Sequence, residues 1–235
     1  RKRILKGSFD KIHGFIAVSP PVKEFMNHYY EADYNVIPNS IDVDWFASSA
    51  LPIPEFSDGK LNILFVSRLE KRKGLKYLLS AFSRLKLVFP EVRLIIVGPG
   101  SPDKESYQII SEHNLQDLHF VGSVSYHDLP RYYQLADIFC APAIGKESFG
   151  IVLLEAMASG TSIVASNIDG FRSVVHDGIQ GVLVQPKDST ALFQALLRLA
   201  KNPEERSLMA VNGISHVEKY RSDKIATEVL QFYET

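Results

Sequence analysis

The 235-residue chain holds one cysteine, Cys140, so no intrachain disulfide can form. That thiol sits in the apolar run Ile138-Phe139-Cys140-Ala141 ahead of Pro142 and reads as a small buried hydrophobe. No apolar run approaches the roughly 20 residues of a membrane-spanning helix, and no signal-peptide pattern is present. Neither sign of charge dominates: 26 Lys and Arg stand against 27 Asp and Glu, a net charge of −1. That balance excludes the broad basic field with which proteins gather nucleic acid or anionic membrane. The N-terminal basic cluster, Arg1-Lys2-Arg3 with Lys6 and Lys11, reads as a solvated terminal helix or tail. The histidines at 13, 28, 113, 119, 127, 176 and 216 keep no metal-ligand spacing, and no Asp-x-Asp occurs. Ser19, Ser67 and Ser148 lie in no nucleophile-elbow context. These absences argue against a hydrolase and a metal site, and predict a reducing, cytoplasmic setting. The chain opens on Arg1, which predicts a piece of something longer.

What is present is regular. With 46% apolar and 23% charged residues, the composition is that of an ordinary globular protein. A short β-rich run at 15–18 ends at Pro20-Pro21, and a brief polar helix precedes Val36-Ile37-Pro38-Asn39-Ser40-Ile41-Asp42. Residues 47–60 have the Ser, Pro, Asp and Gly content of a linker. After it, apolar strands at 63–66, 93–97, 118–121, 138–141, 162–165 and 182–184 alternate with helical periods. These helices are expected at 73–88, 104–112, 127–135, 150–159, 189–201, 203–217 and 222–233. Strands apolar on both faces, separated by helices, predict an α/β fold: a Rossmann-like parallel sheet with helices on both faces.

Ligands of such sheets bind beyond the carboxyl ends of the strands. The chemistry-bearing residues fall at those ends: Ser67-Arg68, Gly98-Pro99-Gly100, Gly122-Ser123-Val124, the 143–150 loop, and 167–170. Glu147-Ser148-Phe149-Gly150-Ile151-Val152-Leu153-Leu154-Glu155 holds two carboxylates across a loop-to-helix boundary. Free N–H groups and the positive dipole end of the helix favour phosphate there. The carboxylates can accept hydrogen bonds from sugar hydroxyls. Phosphate donors and hydroxyl acceptors in one site suggest a nucleotide sugar. Arg68 can fork two donors onto phosphate oxygens, and Lys73 can add a point charge. Lys71 and Arg72 read as solvated.

The Glu147–Glu155 segment resembles the Glu-x7-Glu motif of retaining glycosyltransferases of family 4, which have the GT-B fold. Ser67-Arg68-Leu69, with Lys73-Gly74, resembles the family's Gly/Ser-Arg-Leu…Lys-Gly motif. The Gly98-Pro99-Gly100 turn and Val121-Gly122-Ser123-Val124 resemble two further segments, the latter bordering the base. Asp169-Gly170-Phe171-Arg172-Ser173 keeps only part of the family's Gly-Gly-x-x-Glu pattern. Val36 to Asp42 is similar to the passage between the family's two domains, with Ser40 where Gly is usual.

The resemblance implies three parts: 1–46, a remnant of the N-terminal acceptor domain with the connection; 47–220, the donor-binding domain; and 221–235, a helix that returns to the N-terminal domain in relatives. It implies a hexosyltransferase drawing on GDP-mannose or a UDP-sugar, with a lipid or glycan acceptor bound by the N-terminal domain. It also implies peripheral membrane contact through that domain, with no cofactor and no metal. Arg68 and Lys73 would hold the diphosphate, Glu147 the transferred sugar and Glu155 the ribose. Ser67, Gly98, Gly100, Gly122, Val124, Ser148, Phe149, Gly150 and Ile151 would line the donor. Two alternatives stay open: a nucleotide-sugar binding module without activity of its own, and a GT-B phosphorylase or epimerase.

Overall fold

A computed structural model describes residues 7, 9 and 11–234. The Arg1–Lys6 part of the basic cluster lies outside the described residues. Six strands form one parallel sheet: β3 (Leu61–Val66), β4 (Val92–Val97), β5 (Leu118–Gly122), β6 (Ile138–Ala141), β7 (Ser162–Ser166) and β8 (Gly181–Val184). Their order is β5-β4-β3-β6-β7-β8. β3 pairs in parallel with both β4 and β6, with Ile63 opposite Ile138. The chain winds outward from β3 to β5 and then starts again at β6 in the other direction. The switch point therefore lies between β3 and β6, and ligands of such sheets bind beyond the carboxyl ends of the strands at that point.

Alternation along each strand divides the core into two layers. Leu64, Ile95, Phe139 and Ile163 face one side, with Leu153, Leu154 and Met157 of α6 (Ile151–Ala158). Ile63, Phe65, Leu94, Ile96, Cys140 and Val164 face the other, against α3 (Leu75–Val88) and α8 (Ser189–Lys201). Burial also pushes the Cys140 thiol pKa up, so it stays protonated.

Two helix starts and the linker depart from expectation by more than an end residue, each for a local reason. The helix read from residue 73 begins at Leu75. Lys71–Lys73 form a 3-10 turn, and Gly74, at φ 78°, breaks the helical path. The helix read from residue 127 becomes α5 (Leu129–Leu135), because the Ser125 hydroxyl and the Asp128 side chain and backbone close a turn first. The linker stretch is not featureless: Pro54–Phe56 form a 3-10 turn that buries Phe56.

Before the main sheet, β1 (Phe15–Ala17) and β2 (Tyr34–Val36) pair in parallel around α1 (Pro20–Tyr29). The helix α2 (Val43–Ala47), capped by the Asp42 carboxylate, follows. α4 (Lys104–Glu112), α7 (Asp169–Arg172), α9 (Pro203–Val217) and α10 (Ser222–Glu234) complete the helices named here. α10 packs back against the first segment: a Cβ on Gly14 would lie 2.6 Å from Phe232. Ile41 and the start of α10 also exchange backbone hydrogen bonds, Ile41 N to Tyr220 O and Ser222 N to Ile41 O.

Candidate functional site

The two loops that flank the switch point are locked together. Gly74 lies so close to the β6–α6 loop that a Cβ there would meet the Pro142 carbonyl oxygen at 1.9 Å. The Ile144 N–H donates to the Arg72 carbonyl over 2.8 Å. Across this seam Lys73 Nζ lies 2.7 Å from Glu147 Oε1, and Arg72 Nη1 lies 2.6 Å from the same oxygen. Arg72 Nε also donates to Glu70 over 2.7 Å, and Arg68 lies 3.2 Å from Glu70. Arg72 is thus not solvated as expected: it bridges two carboxylates and is half-buried. Lys71 is exposed, as expected. The Arg72 hydrogen bond is the main cause holding the Glu70 carboxyl below its usual pKa.

Glu147 Oε1 takes both cations, and Oε2 has no hydrogen-bond partner among the described residues. Glu147 borders a cleft of about 740 Å³ that Ser148, Asn167 and Asp169 also line, together with Pro21, Val22 and Phe25 of α1. The loop's path is held from three sides. Gly150 takes φ 110°, where a side chain would strike Phe171. Gly170 lies against the loop so closely that a Cβ would sit 2.1 Å from the Glu147 carbonyl oxygen. The buried Ser19 hydroxyl donates to the Ser148 carbonyl over 2.7 Å. Sequence reasoning missed Ser19 as a site residue. Its signal was its place two residues after β1, directly before Pro20-Pro21 at the start of α1.

Phe149 points inward, at 3% exposure, with its ring edge-on to Tyr220. Its side chain is an anchor, which leaves only its backbone for a ligand. Gly150 gives α6 no side-chain cap, so the first-turn N–H groups beside exposed Ile151 carry a positive dipole end into the crevice.

Glu155 is the fifth residue of α6, on the helix as expected. Its Oε2 accepts a 2.6 Å hydrogen bond from the hydroxyl of Tyr133, a fully buried residue of α5. Burial pushes the Glu155 pKa up, and the Tyr133 hydrogen bond pulls it partly back. Tyr133 itself is held by Thr161, whose hydroxyl donates to the Tyr133 carbonyl. Sequence reading gave no hint of Tyr133, which looks like any aromatic on a helix.

The remaining residues gather at neighbouring strand ends. Gly98, at φ 137°, lets the β4 turn press against β3: a Cβ would sit 2.0 Å from the Ser67 carbonyl oxygen. Gly98 N–H donates to Gly122 O, tying the β4 and β5 ends together. Gly100 packs on Leu69, whereas Gly122 faces open space, with half-buried Val124 beyond it. Ser67, Arg68, Lys73, Gly98, Gly100, Gly122 and Glu147 thus line one edge of the sheet, with Arg68 the most exposed of the cations. No three His, Cys, Asp or Glu side chains converge on a metal-sized site among the described residues. No described helix is long and apolar enough to cross a membrane.

Known proteins are similar to this chain in sequence and fold. The chain is 37% identical over 233 residues to the phosphatidyl-myo-inositol mannosyltransferase of Mycobacterium leprae, covering 99% of this chain and 62% of that protein. It is 38% identical over 239 residues to its namesake from Mycobacterium tuberculosis, again covering 62% of that protein. The chain thus spans about three fifths of the length of these relatives. Anabaena Alr3699/HepE, solved with UDP and glucose, superposes with a TM-score of 0.86 at 21% identity, over 100% of this chain and 66% of that one. The C-terminal domain of the group 1 glycosyl transferase LpcC from Francisella tularensis superposes at 0.70 with 25% identity, over 77% of this chain and 99% of that one. The family model described as glycosyl transferases group 1 matches residues 50–216, which include every loop that lines the crevice from Ser67 to Glu155. With its parallel sheet, strand-end crevice and spaced glutamates, the chain belongs to the glycosyl transferases group 1 family and has the Rossmann-like architecture of GT-B glycosyltransferases.

Proposed function

We propose that this chain is the donor-binding part of a retaining, metal-independent glycosyltransferase that takes a hexose from a nucleoside-diphosphate sugar. The observation that carries the reading is the Lys73–Glu147 pair beneath the uncapped N-terminus of α6, at the β3/β6 switch point. Cations and N–H groups there suit a diphosphate, and the open Glu147 Oε2 suits a sugar hydroxyl. The relatives are mannosyltransferases acting on phosphatidyl-myo-inositol, and the structural neighbour HepE was solved with UDP. The donor is GDP-mannose or a UDP-sugar, the relatives supporting mannose and HepE a uridine nucleotide, and the acceptor is a lipid polyol met at the membrane surface by a part of the protein outside this chain.

As the glycosidic bond breaks, negative charge grows on the leaving diphosphate. Arg68, Lys73 and the N–H groups of Gly150 and Ile151 stabilise it, each well-placed donor lowering the barrier by roughly 3–4 kcal/mol. Glu155 accepts from the ribose hydroxyls through the oxygen that Tyr133 leaves open. Glu147 orients the hexose through its open Oε2, and this hydroxyl binding accounts for it without a nucleophilic role.

Calorimetric titration with GDP, UDP and ADP, with and without Mg²⁺, tests the reading. Metal-independent binding of one nucleotide, weakened by Arg68→Ala, is expected. Binding of none, or binding only with Mg²⁺, would refute it. Glu155→Gln should weaken ribonucleotides far more than their 2′,3′-dideoxy forms. Equal losses would remove Glu155 from the ribose.

A further inference from the structure

We infer that Arg72 is a positioning residue: it holds the Glu147 carboxylate in place so that Lys73 can turn to the donor diphosphate. The inference rests on the donor-site reading above and assigns a role to a side chain that the local sequence marks only as one of three consecutive cations.

The geometry is specific. Among the described residues, Arg72 is the one that touches both carboxylates of the seam: Nε on Glu70 Oε2 at 2.7 Å and Nη1 on Glu147 Oε1 at 2.6 Å. Its guanidinium plane is therefore fixed from both ends, which a flexible ammonium could not achieve. Arg72 also supports the backbone under Glu147. Gly145 and Lys146 run through left-handed conformations at φ 139° and 60°, the second at a residue with a side chain. Arg72 accepts the Ile144 N–H on its carbonyl and brings Nη1 to 3.5 Å from the Lys146 carbonyl oxygen.

Charge counting explains why a second cation is needed. Lys73 is the only other partner of Glu147 among the described residues. A dianionic diphosphate arriving at the crevice competes with Glu147 for that ammonium. With Arg72 present, Glu147 keeps a partner when Lys73 swings away, and no half-buried carboxylate is left alone. Without Arg72, the diphosphate must break the sole ion pair of a carboxylate that is only 13% exposed. Arg72 thus acts through Glu147 and Lys73 and does not touch the donor.

A double-mutant cycle on this chain tests the role, with Arg72→Met, Glu147→Gln and the double variant. Thermal unfolding without ligand reads the Arg72–Glu147 coupling directly, and calorimetry with GDP and UDP reads its consequence. In the Glu147 protein, Arg72→Met is expected to weaken the bound nucleotide about tenfold. In the Glu147→Gln background, where no carboxylate competes for Lys73, the same change should cost less than twofold. Arg72→Lys, which restores one ion pair but not the fork, should recover part of the loss. Equal losses in both backgrounds would mean that Arg72 touches phosphate itself or merely supports the fold, and would overturn the inference. Absent thermal coupling with nucleotide binding intact would overturn the positioning role alone. If the unaltered chain binds none of the nucleotides, the donor-site reading falls first and this role with it.

Discussion

Tyr133→Phe removes one atom from the deepest polar contact of the site, and its cost can be worked from the geometry. The hydroxyl donates over 2.6 Å to Glu155 Oε2 from a side chain with no exposure of its own. A hydrogen bond to a charged group contributes about 1.5–3 kcal/mol. For a chain of this size each kcal/mol moves the melting temperature by roughly 2–4 °C, so a drop of about 3–12 °C is expected near neutral pH. The pH dependence is the sharper part. Burial raises the Glu155 pKa in the fold above its usual 4.5. A raised carboxyl contributes stability in its protonated form: fully present below the unfolded pKa and lost as pH rises through the folded pKa. Removing the Tyr133 donor raises the folded pKa further, so this loss with rising pH grows. The gap between the two proteins must therefore widen from about pH 4.5 to about pH 7.5. Melting curves followed by circular dichroism at both pH values check this, with Glu155→Gln as the control that flattens the pH dependence. A gap of the same size at both pH values would refute the ionised Glu155–Tyr133 contact.

Three further outcomes are expected. Gly98→Ala forces a Cβ onto the Ser67 carbonyl at 2.0 Å in a backbone region that costs about 1–3 kcal/mol for any other residue, so a melting drop of several degrees and loss of nucleotide affinity should follow; a melting curve superposable on the parent's would contradict the close β3–β4 approach. Asp117 is held at a pKa of about 2 by hydrogen bonds from Lys60 and Lys86, so its stabilisation is complete above the unfolded value of 3.8 and fades as pH falls toward 2. Asp117→Asn should cost about 1 kcal/mol at neutral pH, since solvent screens these surface pairs, and almost nothing near pH 2, read from urea melts; a pH-independent cost would count against the ion pairs. Ser19→Ala removes the 2.7 Å hydrogen bond to the Ser148 carbonyl and should cost about 1 kcal/mol while loosening the loop that carries Glu147, seen as faster amide exchange at 145–149; unchanged exchange would show that Gly170 and Arg72 hold the loop alone.

Sequence by itself determined the layered fold. Continuous apolar strands such as Ile63-Leu64-Phe65-Val66 have to be covered on both faces, and only a parallel sheet between helices does that. It also pointed to the candidate site, because strand ends carry the ligand in such sheets and the charged and glycine-rich stretches fall directly after them. Periodicity found α4, α8 and α9 to the residue, since their apolar spacing and caps are local properties. Tertiary structure alone decided which side chains meet. Arg72 and Glu147 lie 75 positions apart, Ser19 and Ser148 129 apart, and Tyr133 and Glu155 on different helices. A run of three cations reads locally as a solvated surface. It becomes a bridge only because the strand order sets the loop after β3 beside the loop after β6. Glu155 reads locally as a residue near a helix start. It becomes a buried acceptor only because α5 brings a hydroxyl beneath it. Strand order and helix docking are set by the summed burial of the whole core, and no short stretch of sequence carries that sum.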